Sequence, residues 1–345
     1  MSSVSVIIPN YNRAPLIGET LISVLSQTRP PNEVIVVDDG STDGSADVIS
    51  GFGRDVTLIR QENAGPAVAR NRGLQIARGD FIQFFDSDDL CVREKLDVQI
   101  RALESSEAPF AYGPWLQAQL LDGVALYSGP PLQQRALPTS RSALSWYLRG
   151  WVIVFQCCLF RRSVIDRAGR YREDLMPTED SELLFRVLAG GGEPVHTPEA
   201  LVLYRLHGQQ ISWGGMGRLR RARDWAKFVS IVDGQLAELP NIAASERAIW
   251  HCRLRDAVRD AEQLGDRSVA SPEVPHLVRL RWEAGKARRR IVEGVARRFG
   301  GSSFAPFYRP GPLSPSQKAQ LRAIGYEPRQ VAEKHDAPPL ETTPA

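Results

Sequence analysis

The chain is 345 residues long, 43% hydrophobic and 24% charged, enough apolar material for one large α/β domain with an appendage and too much for disorder over most of its length. With 43 Lys and Arg against 40 Asp and Glu, the net charge is only +3, which singles out neither a nucleic acid nor any other charged partner. The strongest apolar run, Trp151 to Phe160, is broken at Gln156 and falls well short of the roughly 20 residues that cross a bilayer as a helix. No basic, apolar and small-residue succession of a secretory leader stands at the start, so the expected location is cytoplasmic.

Short apolar runs at Val4 to Ile8, Val34 to Val37, Val56 to Ile59 and Phe81 to Phe85 read as strands buried on both faces. Helical patterns lie between them at Leu16 to Gln27, Ser45 to Ile49 and Pro66 to Ala77. The alternation predicts a Rossmann-like, mostly parallel sheet flanked by helices, with its ligand site beyond the carboxyl ends of the strands. A helix is expected from Glu94 to Leu103, short strands within Phe110 to Pro138, and a helix from Ser142 to Leu148. Trp151 to Phe160 reads as a buried strand. Glu179 to Ala189 reads as a helix stopped by Gly190 to Gly192, and Ala200 to Leu206 as a strand that delivers His207 to its end. Cys91, Cys157, Cys158 and Cys252 have no ligand-like spacing, and the adjacent pair is poorly suited to a disulfide, so all four are expected reduced and structural.

Composition shifts near Gly214 to Gly217. One apolar stripe from Trp225 to Leu239 and a second from Trp250 to Leu264 predict a helical region, and a third runs from Leu277 to Phe299 beyond the Pro-containing break at Ser268 to Pro275. Residues 1–215 are read as one α/β domain, 216–300 as a basic helical region, and 301–345 as a Pro/Gly-rich tail, partly disordered, with one short helix near Ser316 to Ile324. Residues 218–300 carry 18 Lys or Arg and 11 Asp or Glu. The Arg288 to Arg290 and Arg297-Arg298 clusters suit either the solvated face of a helical bundle or a peripheral contact of the 277–299 helix with an anionic membrane. No recognition motif speaks for nucleic acid, and nothing sets the oligomeric state.

Three strand ends carry the chemistry-bearing residues: Pro9 to Arg13, Asp38 to Asp43 and Asp86 to Asp89. Carboxylates gathered at one sheet edge repel one another and call for a cation, and a hard divalent ion with oxygen ligands fits best. Asp86 and Asp88 alternate along an extended segment, so both side chains leave it on the same side. The plainer alternative is that these acids sit in turns and cap helices, as Asp43 is expected to do. Glu179 and Asp180 stand where a helix macrodipole favours acids, and Glu182 with Arg186 reads as an exposed helical pair.

Taken together, VSVIIPNYNR, EVIVVDDGSTD, ENAGPAVARNRG, GDFIQFFDSDD, TEDSELLFR and YRLHGQQIS resemble, in order and approximate spacing, the inverting family 2 glycosyltransferases of the GT-A fold, over about residues 3–213. The resemblance implies a GT-A domain and metal-dependent transfer of a sugar from a nucleotide-diphosphate donor to a hydroxyl of a sugar, lipid-linked or other acceptor, in cell-surface polysaccharide or glycoconjugate synthesis. It places Pro9, Tyr11, Asn12 and Asp39 at the nucleoside, Arg70 toward the nucleotide, and Asp86 with Ser87 at the donor. Asp88, with Asp86, is placed on Mg²⁺ or Mn²⁺. Asp180 is the implied base, with Glu179 in reserve, and His207 either closes on the diphosphate or ligates the metal. Arg72 is expected on a solvated face, and Trp115 and Trp213 either stack on sugar or belong to the core. Nucleotidyl transfer and a non-catalytic nucleotide-binding scaffold are the rival readings.

Overall fold

In a computed structural model the structure describes residues 2–127, 129, 131–151, 153–208, 218–240, 242–265, 283 and 312–331. Ser212, Trp213, the break at 268–275, the 277–299 helix and the 337–345 end lie outside the described residues.

The four apolar runs form β1 (Val4–Asn10), β2 (Glu33–Asp38), β3 (Thr57–Arg60) and β4 (Phe81–Phe84), joined through α1 (Ala14–Leu25), α2 (Ser45–Ser50) and α3 (Pro66–Ile76). β1 pairs parallel with both β2 and β4, and β2 pairs parallel with β3. Val6, Ile7, Ile8, Val36 and Val37 are almost fully buried, as expected of strands covered on both faces by crossover helices. α3 begins with Pro66, whose missing N–H costs nothing at a first helical position. It can lie close to β1 because it carries Gly73, where a Cβ would stand 2.5 Å from Ile7 Cγ2.

The chain continues through β5 (Leu90–Cys91), α4 (Lys95–Glu104), β6 (Phe110–Tyr112), β7 (Trp115–Leu121), β8 (Val124–Tyr127), α5 (Ala143–Leu148), β9 (Cys158–Arg161), α6 (Arg162–Ala168), α7 (Glu179–Ala189), β10 (Val195–His196) and β11 (Val202–Arg205). The main sheet has seven strands in the order β10-β6-β9-β4-β1-β2-β3, all parallel pairings except those of β9. β5, β7, β8 and β11 belong to a second, five-stranded sheet. The expected doubly wound α/β architecture is therefore present.

The expected strand over Trp151 to Phe160 is mostly something else. Only its end is strand, and Phe155–Cys157 forms a 3-10 turn. The run is buried as its apolarity demands, but burial alone does not select extended backbone. Gln156 interrupts it because its side chain serves the sheet edge described below.

α8 (Arg218–Glu238) and α9 (Ala244–Gln263) form a helical hairpin. Their two apolar stripes join the main core: Val229, Val232, Leu236, Trp250 and Leu254 are buried in the same cluster as the sheet. Trp250 Nε1 donates to the Val229 carbonyl at 2.9 Å, and the Trp250 ring stacks on Tyr147 of α5 at 6.0 Å. Past the undescribed stretch, α10 (Pro315–Ala323) and β12 (Glu327–Gln330) add a helix and a strand where the sequence suggests only a short helix in a tail. β12 pairs parallel with β8 and completes the second sheet. Among the described residues no helix is long and apolar enough to cross a membrane.

Candidate active site

The carboxyl ends of β1, β2 and β4 open onto one edge, and each leaves polar residues there. After β1, Asn12 adopts a left-handed backbone (φ 50°) that asparagine tolerates better than most residues. Its Oδ1 accepts from Thr42 N–H at 2.8 Å and its own N–H donates to Ser41 Oγ at 2.9 Å. The β1 and β2 loops are thereby stitched together. Pro9 is half-buried within β1, while Tyr11 stands 43% exposed beside the stitched loops. Asp43 accepts from Ser45 N–H and Ala14 N–H, the structural duty expected of it.

Asp39 is buried and works as a loop anchor, accepting from Gln61 Nε2 (2.7 Å), Ala64 N–H (2.9 Å) and Gly65 N–H (2.8 Å). Gly40, at φ +80°, makes room for the same loop, since a Cβ there would meet Asn63 N at 2.9 Å.

At the end of β4, Asp86, Asp88 and Asp89 each offer a carboxylate oxygen, all within 4.8 Å of one another. An all-oxygen donor set at that spacing fits a hard divalent cation. Between them Ser87 is buried, and its carbonyl accepts from Thr20 Oγ1 at 3.0 Å, which anchors the turn to α1. Asp88 Oδ2 receives both Arg13 Nε and His207 Nε2 at 3.0 Å. Burial pushes the Asp88 carboxyl up, but His207 and Arg13 outweigh it and hold it below its ordinary value. Burial raises Asp89 well above the carboxylate range, and Asp88 and Asp86 add to the rise. Burial likewise raises Asp86 to about 6 against the pull of Arg70, with Asp88 and Asp180 adding to it.

The buried guanidinium of Arg70, expected toward the nucleotide, lies over the Tyr171 ring at 5.4 Å and donates to Asp86 Oδ1 at 2.8 Å and Glu179 Oε1 at 3.0 Å. Carboxylates from two parts of the chain surround it and take its rigid fork of donors. Arg72 is exposed, as expected.

α7 brings Glu179 and Asp180 to this edge. Glu179 is buried, and burial with the neighbouring Asp180 raises its carboxyl to about 7 despite Arg70. The Asp180 side chain is 27% exposed, with Oδ1 3.8 Å from Arg70 Nη1. That oxygen is itself buried against the Arg70 guanidinium, so the exposed part of the carboxylate lies on its other side. The Glu182–Arg186 pair forms at 2.7 Å, but Glu182 is 0% exposed and also accepts from Gln235 of α8. It pins α7 beneath α8 and is not the surface pair read from its spacing.

Gln156 escaped the sequence reading, while Arg13 and Arg205 lie in segments it singled out without these partners. Gln156 Nε2 bridges Asp86 Oδ2 (2.6 Å) and Asp89 Oδ2 (2.9 Å), and its signal was an amide inside an apolar run. Arg13 is the second cation on Asp88, and Arg205 N–H donates to Asp89 Oδ1 at 2.9 Å. Trp115 is partly buried against Tyr204, with ring centres 5.5 Å apart.

The family model described as glycosyl transferase family 2 matches residues 5–169. The UDP-Glc:alpha-D-GlcNAc-diphosphoundecaprenol beta-1,3-glucosyltransferase WfaP of Escherichia coli is 31% identical over 237 residues, 67% of this chain and 88% of that protein. The putative teichuronic acid biosynthesis glycosyltransferase TuaG of Bacillus subtilis (strain 168) is 41% identical over 128 residues, 36% of this chain and 50% of TuaG. The match thus spans half of TuaG, and only 19% of a glycosyltransferase of Rickettsia felis that is 40% identical over 113 residues, 32% of this chain. Among solved structures, S. aureus TarS 1-349 in complex with UDP-GlcNAc aligns over 91% of this chain and 95% of that one, with a TM-score of 0.56 at 20% identity. The mannosyltransferase PcManGT from Pyrobaculum calidifontis, in complex with GDP-Man and Mn²⁺, aligns over 94% and 86% at a TM-score of 0.53 and 21% identity. At these identities the likeness to solved structures concerns the fold alone.

Proposed function

This chain belongs to glycosyl transferase family 2, and on that premise we propose that it transfers a sugar, with inversion, from a nucleotide-diphosphate donor to an acceptor hydroxyl in the assembly of a cell-surface polysaccharide. The observation that carries the reading is the placement of Asp180. Its carboxylate is partly exposed, and its buried Oδ1 lies 3.8 Å from the Arg70 that also holds Asp86. One guanidinium thus brings Asp180 and the Asp86 of the β4 edge to the same place.

Inversion in a single displacement needs a base opposite the leaving group. Asp180 takes that role, accepting the acceptor's hydroxyl proton as the new glycosidic bond forms. Glu179 is buried and bonded to Arg70, so an acceptor hydroxyl cannot reach it and it serves to hold the guanidinium. Tyr11 offers an exposed aromatic face for the nucleoside base, and Asp39 anchors the loop that follows β3. Asp88 and Asp86 would hold Mg²⁺ or Mn²⁺, with Asp89 at its edge. A cation bound there supplies Lewis-acid stabilisation to the departing diphosphate. Arg13 and His207 already balance the charge of Asp88 and are placed to meet the diphosphate oxygens. WfaP, named for a UDP-glucose donor and a diphosphoundecaprenol-linked acceptor, supports a lipid-linked saccharide as the acceptor class.

Incubating the chain with Mn²⁺ and a panel of UDP- and GDP-sugars, and following nucleoside diphosphate release, tests the proposal. Asp180→Asn should still bind the donor and lose transfer. Unchanged turnover in that variant removes Asp180 from the mechanism.

A further inference from the structure

The chain returns to its own site at the C-terminal end. A capping box of Ser314 and Gln317 starts α10, which turns Leu321 and Leu313 into a second apolar cluster with Leu90, Val92, Leu201 and Leu203. Of these three leucines and one valine, Leu90 and Val92 follow the site's acids in the chain, and Leu201 and Leu203 lie beside them. Leu90 follows Asp89 directly. Val92 N–H donates to the Leu201 carbonyl at 3.2 Å, and β5 pairs antiparallel with β11. Two residues past the end of β11, His207 meets Asp88.

A second contact runs in parallel with the apolar one. The Tyr326 hydroxyl donates to Glu19 Oε2 at 3.1 Å, and the same oxygen receives Arg205 Nη1 at 2.9 Å. The backbone N–H of Arg205 holds Asp89. Gln320 Nε2 completes the attachment by donating to the Glu199 carbonyl at 3.1 Å, ahead of β11. β12 on β8 then fixes the segment's far end.

We propose that residues 312–331 form a clip that sets the geometry of Asp88, Asp89 and His207, with Leu321 and Tyr326 as positioning residues for the cation and diphosphate. The proposal rests on the preceding reading of Asp88 as a cation ligand. The logic is that of outer groups around a metal site, which fix the orientation of ligands they never replace. β11 is held on its other side by β7, while β5 has two residues and pairs with β11 over those two alone, so β5 depends on what is packed beneath it.

The test uses the full chain and four variants: Leu321→Ala, Leu321→Met, Tyr326→Phe, and the control Leu236→Ala, a buried residue of α8. Amide hydrogen exchange is read over 88–92 and 201–207 without metal, and Mn²⁺ alone is titrated by the paramagnetic resonance of the free ion. Leu321→Ala should speed exchange in both segments and weaken Mn²⁺ binding about tenfold, the low end of what outer-sphere partners contribute. Leu321→Met should restore both. Leu236→Ala should lose thermal stability and change neither. Tyr326→Phe, which removes one hydroxyl and no packing, should shift both readouts in the same direction by about two- to threefold, and it decides the matter if Leu321→Ala does not fold. Wild-type exchange in the clip variants, or an equal loss of Mn²⁺ affinity in Leu236→Ala, overturns the clip. Absence of Mn²⁺ binding by the wild-type chain overturns the cation reading of Asp88 instead, and the exchange measurement still decides whether the clip holds the strands.

Discussion

Arg70 Nη1 donates to Glu179 Oε1 at 3.0 Å across 109 residues of sequence, and both side chains are only 6% exposed. The other guanidinium nitrogen reaches Asp86 at 2.8 Å. One buried cation therefore ties the start of α7 to the end of β4, and it sets the spacing between the acid assigned as base and the acids assigned to the metal. Without it, like charges from two segments would face each other in a poorly hydrated cleft.

Removing that cation leaves the buried Glu179 carboxyl without its ion pair and strips one of two partners from the partly exposed Asp86. Arg70→Ala is expected to cost about 3–5 kcal/mol, the usual penalty for breaking a buried pair from one side. Arg70→Lys keeps the charge but loses the planar fork, so it should bind one acid and release the other. Urea unfolding of both variants checks this, with Lys expected between Ala and wild type.

The Glu179 carboxyl supplies a pH signature. Its folded value of about 7 lies above its ordinary value of 4.5, so between those limits the native state binds the extra proton and stability falls as pH rises. The contribution is fully present below about pH 4.5 and is gone once pH passes about 7. Glu179→Gln removes the titration, and the wild-type loss of stability from pH 5 to 7.5, on the order of 2 kcal/mol for this group, should flatten in the variant. Equal slopes in the two proteins would place the raised carboxyl elsewhere.

Gln156 offers a way to change the site's need for a cation. Its amide is the neutral donor shared by Asp86 and Asp89. Gln156→Glu replaces that donor with another carboxylate, so the metal-free protein should lose about 3 kcal/mol. The same change should enlarge the thermal stabilisation that Mn²⁺ gives, since each added oxygen ligand favours a hard cation. Melting curves with and without Mn²⁺ measure both effects.

What could be read from the sequence follows from physics that acts locally. The four strands of the parallel sheet were legible because each is a short apolar run between turn residues, and Asp86 and Asp88 because they stand at a strand's carboxyl end. The acids that hold Arg70 were not legible, since they lie 16 and 109 residues away and no local pattern brings them together. Glu182 was misread for the same reason: its spacing to Arg186 predicts a pair, while burial comes from α8, a helix packed on later. The C-terminal clip was hidden because Leu313, Leu321 and Tyr326 are isolated apolar residues in a polar, Pro-containing segment, and only the second sheet gives them something to cover.

The close approach of α3 to β1 yields a test of packing that is independent of function. Gly73→Ala should gain up to about 1 kcal/mol from helix propensity, yet its methyl would stand 2.5 Å from Ile7 Cγ2, and Ile7 is fully buried in a central strand. Overpacking of that kind costs about 1–3 kcal/mol, so the single variant should be destabilised. Ile7→Ala alone opens a cavity and should cost about 2–5 kcal/mol. In the double variant the new methyl occupies part of that cavity and the clash is gone, so the combined loss should be smaller than the two single losses added together, by about 1–3 kcal/mol. Chemical denaturation of the four proteins measures this coupling, and strict additivity would show that helix and strand can separate without cost at Gly73.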